Sequence, residues 1–130
     1  MKRIVFISLA ILLLCPVMAN AGELEKMKIA VASSGKTAKA SVSNMAAKCP
    51  YYLIFNNKGE LIEVIDNPYR DASGGAGPSA ANFLAQRGVT IVIAGNFGSK
   101  MIDALRNSDK THFEFKGLVD DAVKRVLKLN

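Results

Sequence analysis

Tryptophan is absent from the 130 residues, histidine occurs once and cysteine twice. Aromatic residues reach only 7%. That leaves little for a platform of stacked bases, so no nucleic-acid partner is expected. One histidine and two cysteines fall short of the four ligands of a closed zinc site. The sequence holds no H-E-x-x-H pair, no paired-cysteine motif and no nucleophile elbow. No acidic cluster offers the two-metal arrangement of a nuclease. On these grounds no enzyme is expected. Internal repeats are also missing, and half the residues are apolar with 22% charged, the balance of a folded domain rather than a disordered chain.

The N-terminus carries an export pattern. Lys2 and Arg3 precede an apolar run from Ile4 to Leu14, and Ala19-Asn20-Ala21 supplies the small-x-small step that signal peptidase reads. The run is short for a membrane span, which needs about 20 residues. Leu14 before Cys15 and Pro16 after it do not fit a lipoprotein site. The expectation is a signal peptide over residues 1–21 and one exported domain over residues 22–130, periplasmic in a cell with two membranes. Cleavage would leave Cys49 as the one mature cysteine, so no internal disulfide is expected. It would also lower the net charge from +6 to +4. A modest positive charge suits an anionic ligand or surface, and it serves solubility equally well.

Along the mature chain, Met27 to Ala32 is an apolar run of strand length that ends at Ser33-Ser34-Gly35. Lys36 to Lys48 has no firm period and reads as a long loop, a feature that is often functional. Tyr51 to Phe55 and Glu60 to Ile65 flank Asn56-Asn57-Lys58-Gly59 and make an antiparallel hairpin. Asn67-Pro68 stops the second strand. Ser73-Gly74-Gly75-Ala76-Gly77 then leads to Pro78, placed as a first helical residue, and to an apolar face of Ala80, Ala81, Phe83 and Leu84 that ends at Gly88. Val89 to Ala94 is a buried strand. Gly95-Asn96-Phe97-Gly98 turns into a helix carrying Met101, Ile102 and Leu105. Thr111 to Phe115 is a last strand, and Leu118 to Leu127 a closing helix whose Lys124, Arg125 and Lys128 form a solvated face.

A hairpin followed by strand–helix units predicts an α/β domain, a mixed sheet with helices on its faces. Right-handed crossovers place the strand at Val89 on the far side of the first strand from the hairpin. Ligands favour the rim where the winding reverses, at the carboxyl ends of the strands. Three loops should meet there: Ser33 to Lys48, Gly74 to Gly77, and Gly95 to Gly98.

Glycine at a helix start lets backbone amides approach a negative group, although a tight turn needs glycine too. Gly74, Gly75, Gly77 and Gly98 therefore mark a possible anion cradle. Cys49 and Met45, four residues apart, are soft ligands suited to Cu(I) or a metal–sulfide species, or else packing residues. His112, between Thr111 and Phe113, is a third candidate ligand or a structural strand residue. Ser34-Gly35-Lys36-Thr37 lacks the upstream glycine of a phosphate-binding loop, since Ala30 stands there.

Four segments in register carry a family resemblance: Met27-Lys28-Ile29-Ala30-Val31-Ala32-Ser33, Cys49-Pro50-Tyr51-Tyr52-Leu53-Ile54, Gly74-Gly75-Ala76-Gly77, and Val92-Ile93-Ala94-Gly95-Asn96-Phe97-Gly98. Together they resemble the dinitrogenase iron–molybdenum cofactor biosynthesis family, which includes NifX-type carriers and the orange protein with its molybdenum–copper–sulfur cluster. The resemblance implies a three-layer α/β/α ribonuclease-H-like fold with a five-stranded mixed sheet. It also implies non-catalytic binding of an anionic metal–sulfur cluster, iron–molybdenum or molybdenum–copper. Members often carry Ser-x-His-Phe-Gly-Arg before the Cys-Pro step. This chain has Ser43-Asn44-Met45-Ala46-Ala47-Lys48, with Met45 in the place of the histidine and Lys48 in the place of the arginine.

The expected cluster site comprises Ser33, Lys36, Lys48, Gly74, Gly75, Gly77, Gly95, Asn96 and Gly98, with soft contacts from Met45 or Cys49. One alternative is a periplasmic copper protein that uses Cys49, Met45 and His112. Another is an interaction module whose hairpin edge or basic helix docks to a periplasmic or membrane protein. A monomer is expected.

Overall fold

The first strand, β1 (Ile29–Ser33), is buried along its whole length because helices cover both faces of the sheet around it. Its alternation divides the molecule. Ala30 and Ala32 join one core, and Ile29 and Val31 join the other. β2 (Tyr51–Phe55) lies antiparallel to β1, with Ser33 opposite Tyr51 and Ile29 opposite Phe55. β3 (Leu61–Asp66) returns antiparallel to β2 and shifts register between Ile54 and Phe55. β4 (Ile91–Ala94) and β5 (Thr111–Glu114) run parallel to β1 on its other side. The order β3-β2-β1-β4-β5 is the predicted five-stranded mixed sheet. A computed structural model describes residues 27–128. The signal-peptide expectation for residues 1–21 lies outside the described residues.

Two helices cover the alanine side of β1. α1 (Ala76–Gln86) contributes Ala80, Ala81 and Leu84, and α2 (Ser99–Asn107) contributes Met101 and Leu105. The small alanines of β1 let those helices sit close to the sheet. α3 (Val119–Leu127) packs Val119, Ala122 and Val123 on the opposite side, against Ile29, Val31, Leu53 and Ile93. Each buried valine there stabilises the fold by roughly 1.5–3 kcal/mol. Among the described residues no helix is long and apolar enough to cross a membrane.

The expected order of elements is the observed one, with shifts at the ends. α1 begins two residues before Pro78, which therefore sits in the first turn, where its missing N–H costs nothing. Gly75 precedes the helix at φ 69°, a left-handed conformation that strains any residue with a Cβ. At the other end Gly88, at φ 81°, donates to Ala85, and Val89 donates to Leu84, closing the last turn. Val89 and Thr90 fall outside β4, although Val89 stays buried.

Lys36 to Lys48, expected as a loop, is a strap tied across the rim. Ser43 N–H donates to Ala32 (2.8 Å), Val42 N–H to Gly117 (2.8 Å), and Gly95 N–H to Ser43 (2.8 Å). Val42 and Ala46 are buried beneath it. The strap has no period because its bonds reach β1, β4 and the start of α3 instead of one neighbour.

Gly95 is glycine because the strap lies on it. An added Cβ would overlap Asn44 Oδ1 and come within 3.0 Å of Asn44 Cα. Gly74 meets nothing within 4 Å. In urea denaturation, Gly95→Ala is expected to cost about 1–3 kcal/mol. Gly74→Ala should be neutral or stabilising by up to about 1 kcal/mol.

Candidate anion-binding site

Every crossover in this topology brings a helix start to the rim at the carboxyl ends of β1, β4 and β5. At α1 and α2 the two starts meet. A cleft of about 370 Å³ is lined by Gly75, Ala76, Gly77 and Pro78 from α1, by Gly98, Ser99, Lys100 and Met101 from α2, and by Ala47 and Lys48 from the strap. Neither helix has a side-chain cap, and neither has an acidic residue in its first turn. Helix starts leave unpaired N–H groups with partial positive charge. The main-chain N–H groups of Ala76, Gly77, Ser99 and Lys100 donate to no described residue. Two lysines and no acid line the cleft.

The glycines serve different ends. Gly77 is where the helices touch: a Cβ there would come within 3.2 Å of both Met101 N and Met101 Cβ. Gly98 has an ordinary extended backbone, φ −72° and ψ 152°, and meets nothing within 4 Å. Neither backbone strain nor packing within the protein requires glycine at 98. Its missing side chain simply leaves room at the mouth of the cleft.

The other predicted residues are spread along the rim. Ser33 is buried, and its hydroxyl donates to Gly35 O (2.7 Å) while accepting from Gly35 N (3.2 Å), so it closes its own turn. Lys36 does not join Lys48. Its Nζ lies 5.5 Å from the centroid of the Tyr51 ring, which Arg70 also approaches at 5.1 Å. Gly95 and Asn96 line a separate, more polar hollow with Asn44, Glu114, Phe115 and Lys116. The Gly95 N–H is already given to Ser43, and Asn96 O accepts from Ala46 N (3.3 Å).

Cys49 and His112, two of the three candidate metal ligands, are not brought together. Met45 is half exposed on the strap. Cys49 is buried just before β2. His112 sits on β5, stacked edge-on against Phe97 at 5.0 Å. Three strand spacings separate β2 from β5, or about 14 Å. Among the described residues no group of three His, Cys, Asp or Glu side chains could hold a metal ion.

Sequence reasoning missed Lys100 and Asn67. Lys100 had a visible signal, because a lysine in a first helical turn has the wrong sign for the helix dipole. Asn67 was read only as a strand stop. It is a buried residue whose Nδ2 donates to Ala47 O and Cys49 O, both at 2.8 Å.

Burial pushes the Cys49 thiol up from 9.0 to about 11, although the neighbouring Tyr52 hydroxyl and the Asn67 amide oppose the shift. Burial also raises the Tyr52 hydroxyl, as does the neighbouring Cys49. Cys49 is therefore a buried, protonated thiol near neutral pH. A raised thiol favours the folded state below pH 9, and that contribution is lost as pH climbs toward 11. Folding free energy should fall across that window, on the order of 2 kcal/mol from this group. The fall should be shallower in Cys49→Ala, measured by urea denaturation at each pH. Ellman's reagent should label Cys49 only on unfolding.

The chain matches the profile of the dinitrogenase iron–molybdenum cofactor family over residues 27–129. The apo form of the orange protein from Desulfovibrio gigas is 28% identical, with a TM-score of 0.73, covering 78% of this chain and 87% of that one. A Thermotoga protein of the DUF35 family is also 28% identical, with a TM-score of 0.67 and coverage of 78% and 87%. A Methanocaldococcus jannaschii protein, 17% identical with a TM-score of 0.54 and coverage of 78% and 88%, shares the fold. No protein of curated function matches the sequence. A match that spans every described residue, on a fold shared with the orange protein, places this chain in the dinitrogenase iron–molybdenum cofactor family.

Proposed function

We propose that this protein is a non-catalytic carrier that holds an anionic metal–sulfur cluster, or its precursor, in the cleft between the starts of α1 and α2. One observation carries the reading: two uncapped helix starts meet there, free of acids, with Lys48 and Lys100 beside them. The donor set fits such a cargo. Main-chain N–H groups and ammonium groups bind negative charge, and they do not replace the sulfide ligands a cluster brings with it. Ala76, Gly77, Ser99 and Lys100 would supply N–H donors, Lys48 and Lys100 side-chain charge, and Gly98 the open approach. Family membership supports iron and molybdenum in the cargo.

Affinity of this kind rests on charge and falls with added salt. Release then needs no protein–metal bond to break, which suits a carrier. The copper reading gains no support from the separation of Cys49 and His112. Ser33, Lys36, Gly95 and Asn96 shape the rim and its field rather than the cleft wall.

The carrier reading extends to the compartment. Lys2, Arg3 and the apolar run after them suit export, with Ala21 as the last residue removed. A periplasmic or membrane protein would then receive the cargo. Mass spectrometry of the protein isolated from cells should find Gly22 as its first residue, and an intact Met1 would overturn export.

Titration of the full chain with tetrathiomolybdate, alone and with copper or iron, should shift the visible charge-transfer absorption of the free anion in a saturable way. Gly98→Glu places a carboxylate at the cleft mouth with no clash, and it should weaken binding at least tenfold while leaving the unfolding midpoint nearly unchanged. Lys48→Glu should act in the same direction. A chain that leaves the absorption of every one of these cargoes unchanged, with no cargo retained after desalting, would sink the proposal.

A further inference from the structure

The cleft has a third wall, the strap turn at Ala46–Lys48, and its backbone orientation is fixed from behind. Tyr52 Oη donates to the carbonyl of Ala46. Asn67 Nδ2 donates to the carbonyl of Ala47 (2.8 Å) and to that of Cys49 (2.8 Å). Cys49 Sγ also approaches Ala46 O, at 3.9 Å. Asn67 is itself held, since its Oδ1 accepts from Tyr69 N (3.0 Å) and only 2% of its surface is exposed.

Every described peptide bond is trans. In a trans peptide the C=O and the following N–H point in opposite directions. A carbonyl of Ala46 drawn inward to Tyr52 therefore sends the N–H of Ala47 outward. A carbonyl of Ala47 drawn inward to Asn67 does the same for the N–H of Lys48. Those two N–H groups donate to no described residue. Ala47 and Lys48 line the cleft opposite the helix starts. Two successive outward N–H groups with a lysine side chain make an anion-facing surface.

We infer that the main-chain N–H groups of Ala47 and Lys48 are a third donor arm of the cleft, and that Asn67 and Tyr52 are the positioning residues that hold it. The inference rests on the proposed anion-carrier reading and adds the arm that closes the cleft from the strap side. Asn67 touches no cargo. It acts by keeping two carbonyls turned away, because a carbonyl oxygen facing the cleft would repel an anion. The amide nitrogen is the needed group, since an aspartate at 67 would offer only acceptors to two carbonyls.

The test follows amide shifts in ¹H–¹⁵N spectra of the full chain as tetrathiomolybdate is added, with molybdate as the sulfur-free comparison. The Ala47 and Lys48 amides should move with those of Ala76, Gly77, Ser99 and Lys100, at one midpoint. In Asn67→Ala the helix-start amides should still respond, the Ala47 and Lys48 shifts should shrink, and affinity should drop roughly tenfold, the usual scale for loss of a supporting partner behind a binding group. Should Asn67→Ala fail to fold, Tyr52→Phe removes one hydroxyl donor, keeps the ring in the core, and should shrink the Ala47 shift. Response at the helix starts with Ala47 and Lys48 unmoved would overturn the third arm and leave the carrier reading standing. Silence at every amide would overturn both.

Discussion

The contact between Gly77 and Met101 sets the site. A side chain at position 77 would press on the backbone of α2 at 3.2 Å, so glycine there lets α1 and α2 begin side by side without displacing either. The two starts then point partial positive charge at one volume, where like ends repel. Capping side chains would relieve this, and so would acids in the first turns. The sequence supplies neither, and adds Lys48 and Lys100. Each such placement gives up a few tenths to about 1 kcal/mol of stability. A local rule broken several times at one spot, with no compensation among the described residues, is the mark of a functional place, and it is the ground of the anion-carrier proposal.

The sheet explains why this volume is on the rim. β1 has the hairpin on one side and the parallel strands on the other, so the chain winds outward from β1 in both directions. Handedness of crossovers and the lengths of apolar runs placed the hairpin and β4 on opposite sides of β1, and the family resemblance supplied the five-stranded, three-layer architecture, so that much was legible before any coordinates. The positions of glycines along the chain were legible too. Their reasons were not, because each depends on a neighbour distant in sequence. Gly75 answers to its own φ, Gly77 to Met101, Gly95 to Asn44, and Gly98 to nothing within the protein.

The strap was hidden for the same cause. Its residues pair with Ala32, Gly117 and Gly95, partners that no local period encodes. Expecting Lys36 and Lys48 to work together treated the strap as one patch. The fold turns it so that Lys36 lies over Tyr51 and Lys48 faces the helix starts. Asn67 shows the limit most plainly. An Asn-Pro pair after a strand signals a turn, while its role in turning the carbonyls of Ala47 and Cys49 needs three-dimensional placement.

The burial of Cys49 bears on the kind of binding the fold favours. A copper protein of the expected type needs Cys49 as a thiolate near other soft ligands. The fold instead surrounds Cys49 with the core, keeps its proton on, and leaves Met45 on the surface and His112 against Phe97. The charged and hydrogen-bonding groups at the cleft are main-chain N–H and ammonium, set among apolar side chains such as Pro78 and Met101, and they recognise charge and size. On the proposed carrier reading, such a site would select on the anion's charge and shape more than on the metal inside it. Release would then need no ligand substitution, which would distinguish carriage from permanent incorporation.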